Sequence, residues 1–199
     1  MKDDNPVSRL LLPPARLMAL LAGYLLLGLS FLVTAEVVLR SAFNLSLQGS
    51  DEFGGYTLAV LAAFGFSYAL LERAHTRVEI LIERVGTGPQ ALLNLVSCWC
   101  IALMALFMAW RSYAALMESV EYGSLSGTPL MTPLWQPQLA WFIGLLFFAA
   151  VASIIAIHAL ILMVSDRRRL NRFYGMKTLE EIIDEERVEL HDDPGAFRG

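Results

Sequence analysis

Four apolar stretches, each at or above the roughly 18 residues that a helix needs to cross the hydrocarbon core of a bilayer, decide what this chain can become. They fall at about 17–39, 53–71, 91–110 and 139–164. A water-soluble core in a chain of 199 residues could not hide runs of that length, and the composition agrees, with 56% of residues hydrophobic and only 17% charged. The expected fold is an all-α integral membrane protein with four transmembrane helices. The first run is too long for the h-region of a signal peptide and no A-x-A-like site follows it, so it is expected to remain as a span.

Orientation follows from the cations, because short loops rich in Lys and Arg stay on the cytoplasmic side. Of the 15 Lys and Arg residues, all but Arg40 and Arg111 lie before the first span, between the second and third, or after the fourth. Both termini are therefore expected in the cytoplasm. The net charge of −4 does not alter this, since the rule does not count acids and the densest acidic run lies at 178–193. That tail offers no surface for nucleic acid. The domain reading is an N-terminal cytoplasmic segment over 1–16, a four-helix transmembrane domain over 17–164, and a basic-then-acidic tail over 165–199.

Between the second and third spans stands "LLERAHTRVEILIERVG", dense in charge. As a helix over about 77–85 it would place Val78, Leu81, Ile82 and Val85 in an i, i+3, i+4, i+7 stripe, with Arg77, Glu79, Glu83 and Arg84 away from it. Thr76 and Glu79 have the spacing of a capping box, and Gly86, Gly88 and Pro89 supply a stop. The segment is too short to cross lipid, so it reads as a short amphipathic helix at the inner membrane surface or docked on a partner. A plain helical connector accounts for the pattern equally well. Further on, Thr178 to Leu190 could form a capped helix or remain a solvated tail.

Polar residues inside the spans are few. Glu36 is the only acid within one, a turn from its outer end, and Arg40 lies four residues on at the spacing of a helical ion pair. An interfacial anchor is the favoured reading, ahead of a place on an ion path. His158 lies in the fourth span and His75 just beyond the second. A hydrogen-bonded interhelical histidine is commoner than the bis-histidine haem this pair would make. Cys98 and Cys100, two apart on a helix, point in different directions and do not have redox or zinc spacing. Asp51 and Glu52 follow Ser50 at the start of the second span, where a helix N-terminus favours negative charge. No catalytic, metal or cofactor site is expected, for no nucleophile constellation, metal cluster or phosphate loop appears, and the chain is not expected to be an enzyme.

The connection from 111 to 138 divides in two. "RSYAALMESVEY" keeps helix-forming composition and extends the third span, whereas "GSLSGTPLMTPLWQP" brings three prolines and turn residues and reads as an ordered, non-helical cap. Trp110, Tyr113, Trp135 and Trp141 gather at this boundary as an aromatic belt would. The fourth span, helical throughout, would run roughly 39 Å and must tilt or protrude.

Taken in order, "EVVLRSAFN", the pair Asp51 and Glu52, "AAFGFSYAL" leading into "AHTRVEIL", and "GTPLMTPLW" before the last span resemble the small permease subunit of tripartite ATP-independent periplasmic (TRAP) transporters, the DctQ-like family. The resemblance covers roughly residues 20–165. Where family members often carry an aromatic residue before the acidic pair, this chain has Gly49 and Ser50. The resemblance implies a bacterial inner-membrane subunit that braces a large multispanning permease during sodium-driven symport of an organic acid delivered by a periplasmic substrate-binding protein. It further implies that Val78, Leu81, Ile82 and Val85 face the large permease and that Asp51 and Glu52 meet the binding protein. Membrane lipid would be the remaining partner. A haem-binding electron-transfer subunit and a stand-alone four-helix transporter are the alternative readings.

Overall fold

The computed structural model describes residues 5–73 and 86–175. The expected interfacial helix over 77–85, His75 and the stretch 178–190 lie outside the described residues. Among the described residues five helices follow one another: α1 (Pro6–Phe43), α2 (Ser50–Leu71), α3 (Thr87–Glu121), α4 (Trp135–Ser165) and α5 (Arg167–Tyr174). The first four are long and apolar enough to cross a membrane. Among the described residues there is no strand, only an isolated antiparallel bridge between Leu125 and Pro133.

The helices outrun the apolar windows that announce them. α1 starts at Pro6 because Asn5 accepts a hydrogen bond from Val7 N at 3.2 Å and Pro6 occupies the first helical position, where a missing N–H costs nothing. Pro13 and Pro14 then fall inside α1 on exposed positions, each removing one bond of the i→i−4 ladder. At its far end α3 runs to Glu121, as the composition of 111–122 predicts. It stops in a Schellman motif in which Gly123, at φ 58°, lets Ser124 N reach Ser119 O at 3.0 Å.

Laterally the order is α1, α2, α4, α3: α1 packs on α2, α2 on α4, and α4 on α3, with α5 laid across α3 and α4. This is an open row rather than a closed bundle. Burial follows from position in the row. Half of the most apolar 18-residue window of α4 is buried, against 6% of the corresponding window of α1.

The tightest seam joins α3 and α4. The buried residues of α3 are Ala91, Asn94, Cys98, Ala102, Ala105, Ala109, Ser112, Leu116 and Ser119, spaced by steps of three or four along the helix. On α4, Leu145, Phe148, Ala152, Ile155, Ala159 and Leu162 step in the same way. That mean period of about 3.5 is the repeat of a left-handed crossing near 20°. In hydrocarbon, burial against a neighbour gains nothing over burial in lipid, so close approach through small residues and the dispersion it yields must hold the seam. The alanines of both stripes provide that approach. On its other side α4 meets α2, with the Phe66 and Phe148 rings at 5.4 Å. There Gly144 is closed in, since a Cβ on it would lie 2.6 Å from Phe64 Cδ1 and 2.8 Å from Ala63 Cβ.

Gly144→Ala should therefore lower the stability of the detergent-solubilised chain by about 1–3 kcal/mol through overpacking. Gly28→Ala, where nothing lies within 4 Å of the added carbon, should leave the thermal midpoint unchanged or slightly higher. Equal midpoints for the two variants would show that α2 and α4 do not approach as described.

Candidate functional site

The polar chemistry of the chain is concentrated at the two ends of the row. One end holds the α1–α2 turn and the 122–134 connection; the other holds Asn5, the start of α3 and α5. Between them each long helix has a charge-free stretch: 17–35 in α1, 53–71 in α2, 87–110 in α3 and the whole of α4.

At the turn end, Glu36 is 3% exposed although most of its helix lies open. Its carboxylate accepts from the Arg40 guanidinium, with Nε at 3.1 Å, from Ser46 Oγ at 2.9 Å, and from the backbone N–H of Leu47. The spacing of Glu36 and Arg40 announces their ion pair. The other two bonds it does not announce: they fold the chain back after Asn44, whose left-handed φ of 53° ends α1. Glu36 thus sets the path from α1 into α2.

Glu52 does the corresponding work for the second connection. α2 is capped at Gly49, which has no side chain to accept a bond, and the acids at the second and third helical positions add favourable charge near the exposed N–H groups. Only Asp51 turns outward. Glu52, 8% exposed, accepts from Tyr56 Oη at 2.7 Å and from Thr128 Oγ1 of the 122–134 connection. That connection is ordered by its own bonds: Ser126 N to Thr132 O at 2.9 Å, Thr132 N to Ser126 Oγ at 2.9 Å, and Leu134 N to Ser124 O at 3.0 Å. Leu130 from the same loop packs directly over Gly49, whose φ of 92° and missing Cβ admit it. Any larger side chain at that position would collide with Leu130.

The aromatic residues at this end lie as a boundary belt lies. Trp110 is 63% exposed, with the Arg111 guanidinium 5.9 Å from its ring centroid, and Tyr113 stacks obliquely on Phe142 at 5.7 Å.

The opposite end is tied by groups that sequence reasoning missed. Directly after α4, Asp166 caps α5 by accepting from Arg168 N at 3.0 Å and Arg169 N at 3.3 Å. Asn171 then accepts from buried Asn94 Nδ2 at 3.0 Å and donates to Thr87 O at 3.0 Å and Gln90 Oε1 at 3.3 Å, riveting α5 to the first turns of α3. Tyr174 meets His158 Nδ1 at 2.6 Å, and Phe173 stacks on the same imidazole with centroids 6.5 Å apart. Burial pushes the Tyr174 phenol up to about 12, so it stays protonated and is placed to donate. His158 is therefore a hydrogen-bonded interhelical histidine. The signal that could have found α5 is the Asp at its cap with Leu170 and Tyr174 four apart among arginines. Cys98 is buried in the α3 seam and Cys100 is exposed; neither is in a disulfide. Among the described residues no three His, Cys, Asp or Glu side chains gather where they could hold a metal ion.

This geometry defines a class: a four-span helical membrane subunit with tied ends and charge-free centres. The family described as tripartite ATP-independent periplasmic transporters, DctQ component, matches residues 29–164. The chain belongs to this family, the small TRAP permease component, and membership implies association with a large permease. A Haemophilus influenzae protein whose name places it among the TRAP transporter small permeases is 24% identical over 135 residues, covering 67% of this chain and 76% of that protein. No solved structure matches the chain.

Glu52→Ala should raise hydrogen–deuterium exchange across 124–134 severalfold while leaving the α3–α4 seam protected. Asp51→Asn should change neither. Equal protection of the loop in both variants would mean that the carboxylate does not hold it.

Proposed function

We propose that this chain is the fixed brace of a TRAP transporter, seated beside the large permease while that partner carries an organic acid across the inner membrane with sodium. The observation that carries the reading is α1. Its only buried residues are Ala15, Ala22 and Glu36, and although Val7, Leu11 and Leu12 lean on the core, most of the apolar surface of the 38-residue helix is exposed. About a quarter-turn or more from those three buried residues, Gly23, Ser30 and Thr34 make a second line of small residues. Their hydroxyls bond back to the carbonyls of Leu26 and Ser30, leaving a surface on which another helix can approach closely.

The charge-free centres support the same reading. A carrier or proton path shows ionisable groups near the midplane, and the charged groups of these helices sit toward their ends. The positive-inside rule, applied to Arg9, Arg16, Arg73 and the arginines of α5, supports a cytoplasmic location for the end bearing Asn5, and on that reading Asp51 and the 122–134 loop are periplasmic. There Asp51, with Glu118 and Glu121 at the end of α3, offers exposed charge to a loaded binding protein, and Glu52 contributes by holding the loop beside it. Val78, Leu81, Ile82 and Val85 are proposed to seat the cytoplasmic edge against the large permease.

The test is to tag the full chain, extract it gently from native membranes and quantify what co-elutes. The expected result is a large multispanning protein at near-equal amount, with recovery falling severalfold for Gly23→Leu with Ser30→Leu and for Leu81→Asp with Ile82→Asp, at unchanged expression. Elution without such a partner would overturn the brace. Loss with the second pair alone would move the contact from α1 to the cytoplasmic edge.

A further inference from the structure

The helix α5 carries four arginines on an eight-residue element whose other side is locked in place, and family membership gives them no role. Leu170 is fully buried and Tyr174 nearly so, Asn171 is bonded into α3, and Phe173 lies on His158. At about 100° per residue, Arg168, Arg169 and Arg172 fall on the side opposite Leu170 and Tyr174. All four arginines are exposed. Arg169 reaches Asp166 Oδ2 at 3.3 Å; among the described residues none of Arg167, Arg168 and Arg172 has an acid within salt-bridge distance.

Arg168 and Arg172 stand four apart, a spacing at which like charges repel and destabilise a helix. An isolated eight-residue helix is too short to sustain itself, so the bonds of Asn171 and Tyr174 hold this one against that repulsion. The result is a fixed helix that presents Arg168 and Arg172 one turn apart on its open side. Their depth is set as well: a single residue, Asp166, separates α5 from the end of a 31-residue apolar span, which brings the two arginines to the headgroup layer of one leaflet. Guanidinium forks match phosphate oxygens in two-point geometry, and the partner at that depth is the membrane itself.

We propose that α5 is a binding surface for the phosphodiester headgroups of anionic lipids, with Arg168 and Arg172 as its principal contacts. By clamping headgroups, the helix fixes the depth of α4, the central helix of the row. This inference is independent of the bracing role.

The test uses the purified full-length chain reconstituted in phosphatidylcholine bilayers, with spin-labelled phosphatidylglycerol as the probe and its association relative to spin-labelled phosphatidylcholine read from the motionally restricted fraction. The wild type should prefer phosphatidylglycerol. The preference should fall by about threefold or more in R168Q/R172Q and persist in R168K/R172K, since near a membrane surface each basic side chain contributes roughly a fivefold factor. R111Q, at the other end of the row, should leave it intact. An unchanged preference in R168Q/R172Q, or an equal fall in R111Q, would overturn the proposal. So would its abolition by inorganic phosphate, which would make α5 a site for free anions. A preference absent in the wild type and gained on removal of residues 176–199 would also overturn it, naming the acidic tail as the occupant.

Discussion

Hydrocarbon contains no water to accept a bond that the chain leaves unmade, and the architecture depends on that constraint. Within the bilayer a helix satisfies its own backbone, but at each end it leaves orphan N–H and C=O groups, and each connecting turn adds more. This chain solves the problem with buried carboxylates and amides. Glu36 accepts from a guanidinium, a hydroxyl and a backbone N–H in one turn; Glu52 holds a second connection through Thr128; Asn171 takes the carbonyl of Thr87 and the side chain of Asn94. Three polar side chains in effect join the four spans into one object.

The same constraint explains the shape. Because lipid tails are as apolar as leucine, a span has no reason to surround itself with its own chain, and helices associate only where small residues let backbones come close. α3 and α4 have such stripes facing each other, and α2 has Ala63 opposite Gly144. Of the small residues of α1 only Ala15 and Ala22 are buried, so it packs chiefly on α2, touches α4 little and stays on the flank. An open row is the outcome of where the alanines and glycines fall.

Much of this was legible in the sequence. Four apolar windows, the proline-rich cap after the third helix and the i, i+4 pair of Glu36 and Arg40 are local patterns, and each depends on residues within a few turns of one another. What was not legible is non-local or evenly apolar. Thr128 meets Glu52 from 76 positions away and Asn171 meets Asn94 from 77; nothing in either neighbourhood marks the partner. Lateral order was equally hidden, since α4 is hydrophobic around its whole circumference and hydropathy carries no record of which side faces α2. The acidic pair shows the limit most plainly. Asp51 and Glu52 read alike as first-turn acids, yet one faces outward and the other is buried, because only Glu52 lies under the threonine of the later loop.

The two ties have a joint mechanical consequence. Were the row held at one end only, its helices could splay at the other, as they must in a protein that opens alternately to two sides. Here the turn end is closed by Glu36 and Glu52 and the far end by Asn171 and the His158–Tyr174 contact. A relative tilt of α3 against α4 would have to break polar bonds in surroundings where water is scarce, and slip two interlocked alanine stripes as well. The low-cost motion is of the whole row as a unit, with α1 carried along its flank. Any helix packed on that flank would meet a surface of fixed shape. The exposed flank of α1 and the tied ends are then two aspects of one arrangement, in which the spans are held to one another at both ends and one helix face is left open along the side.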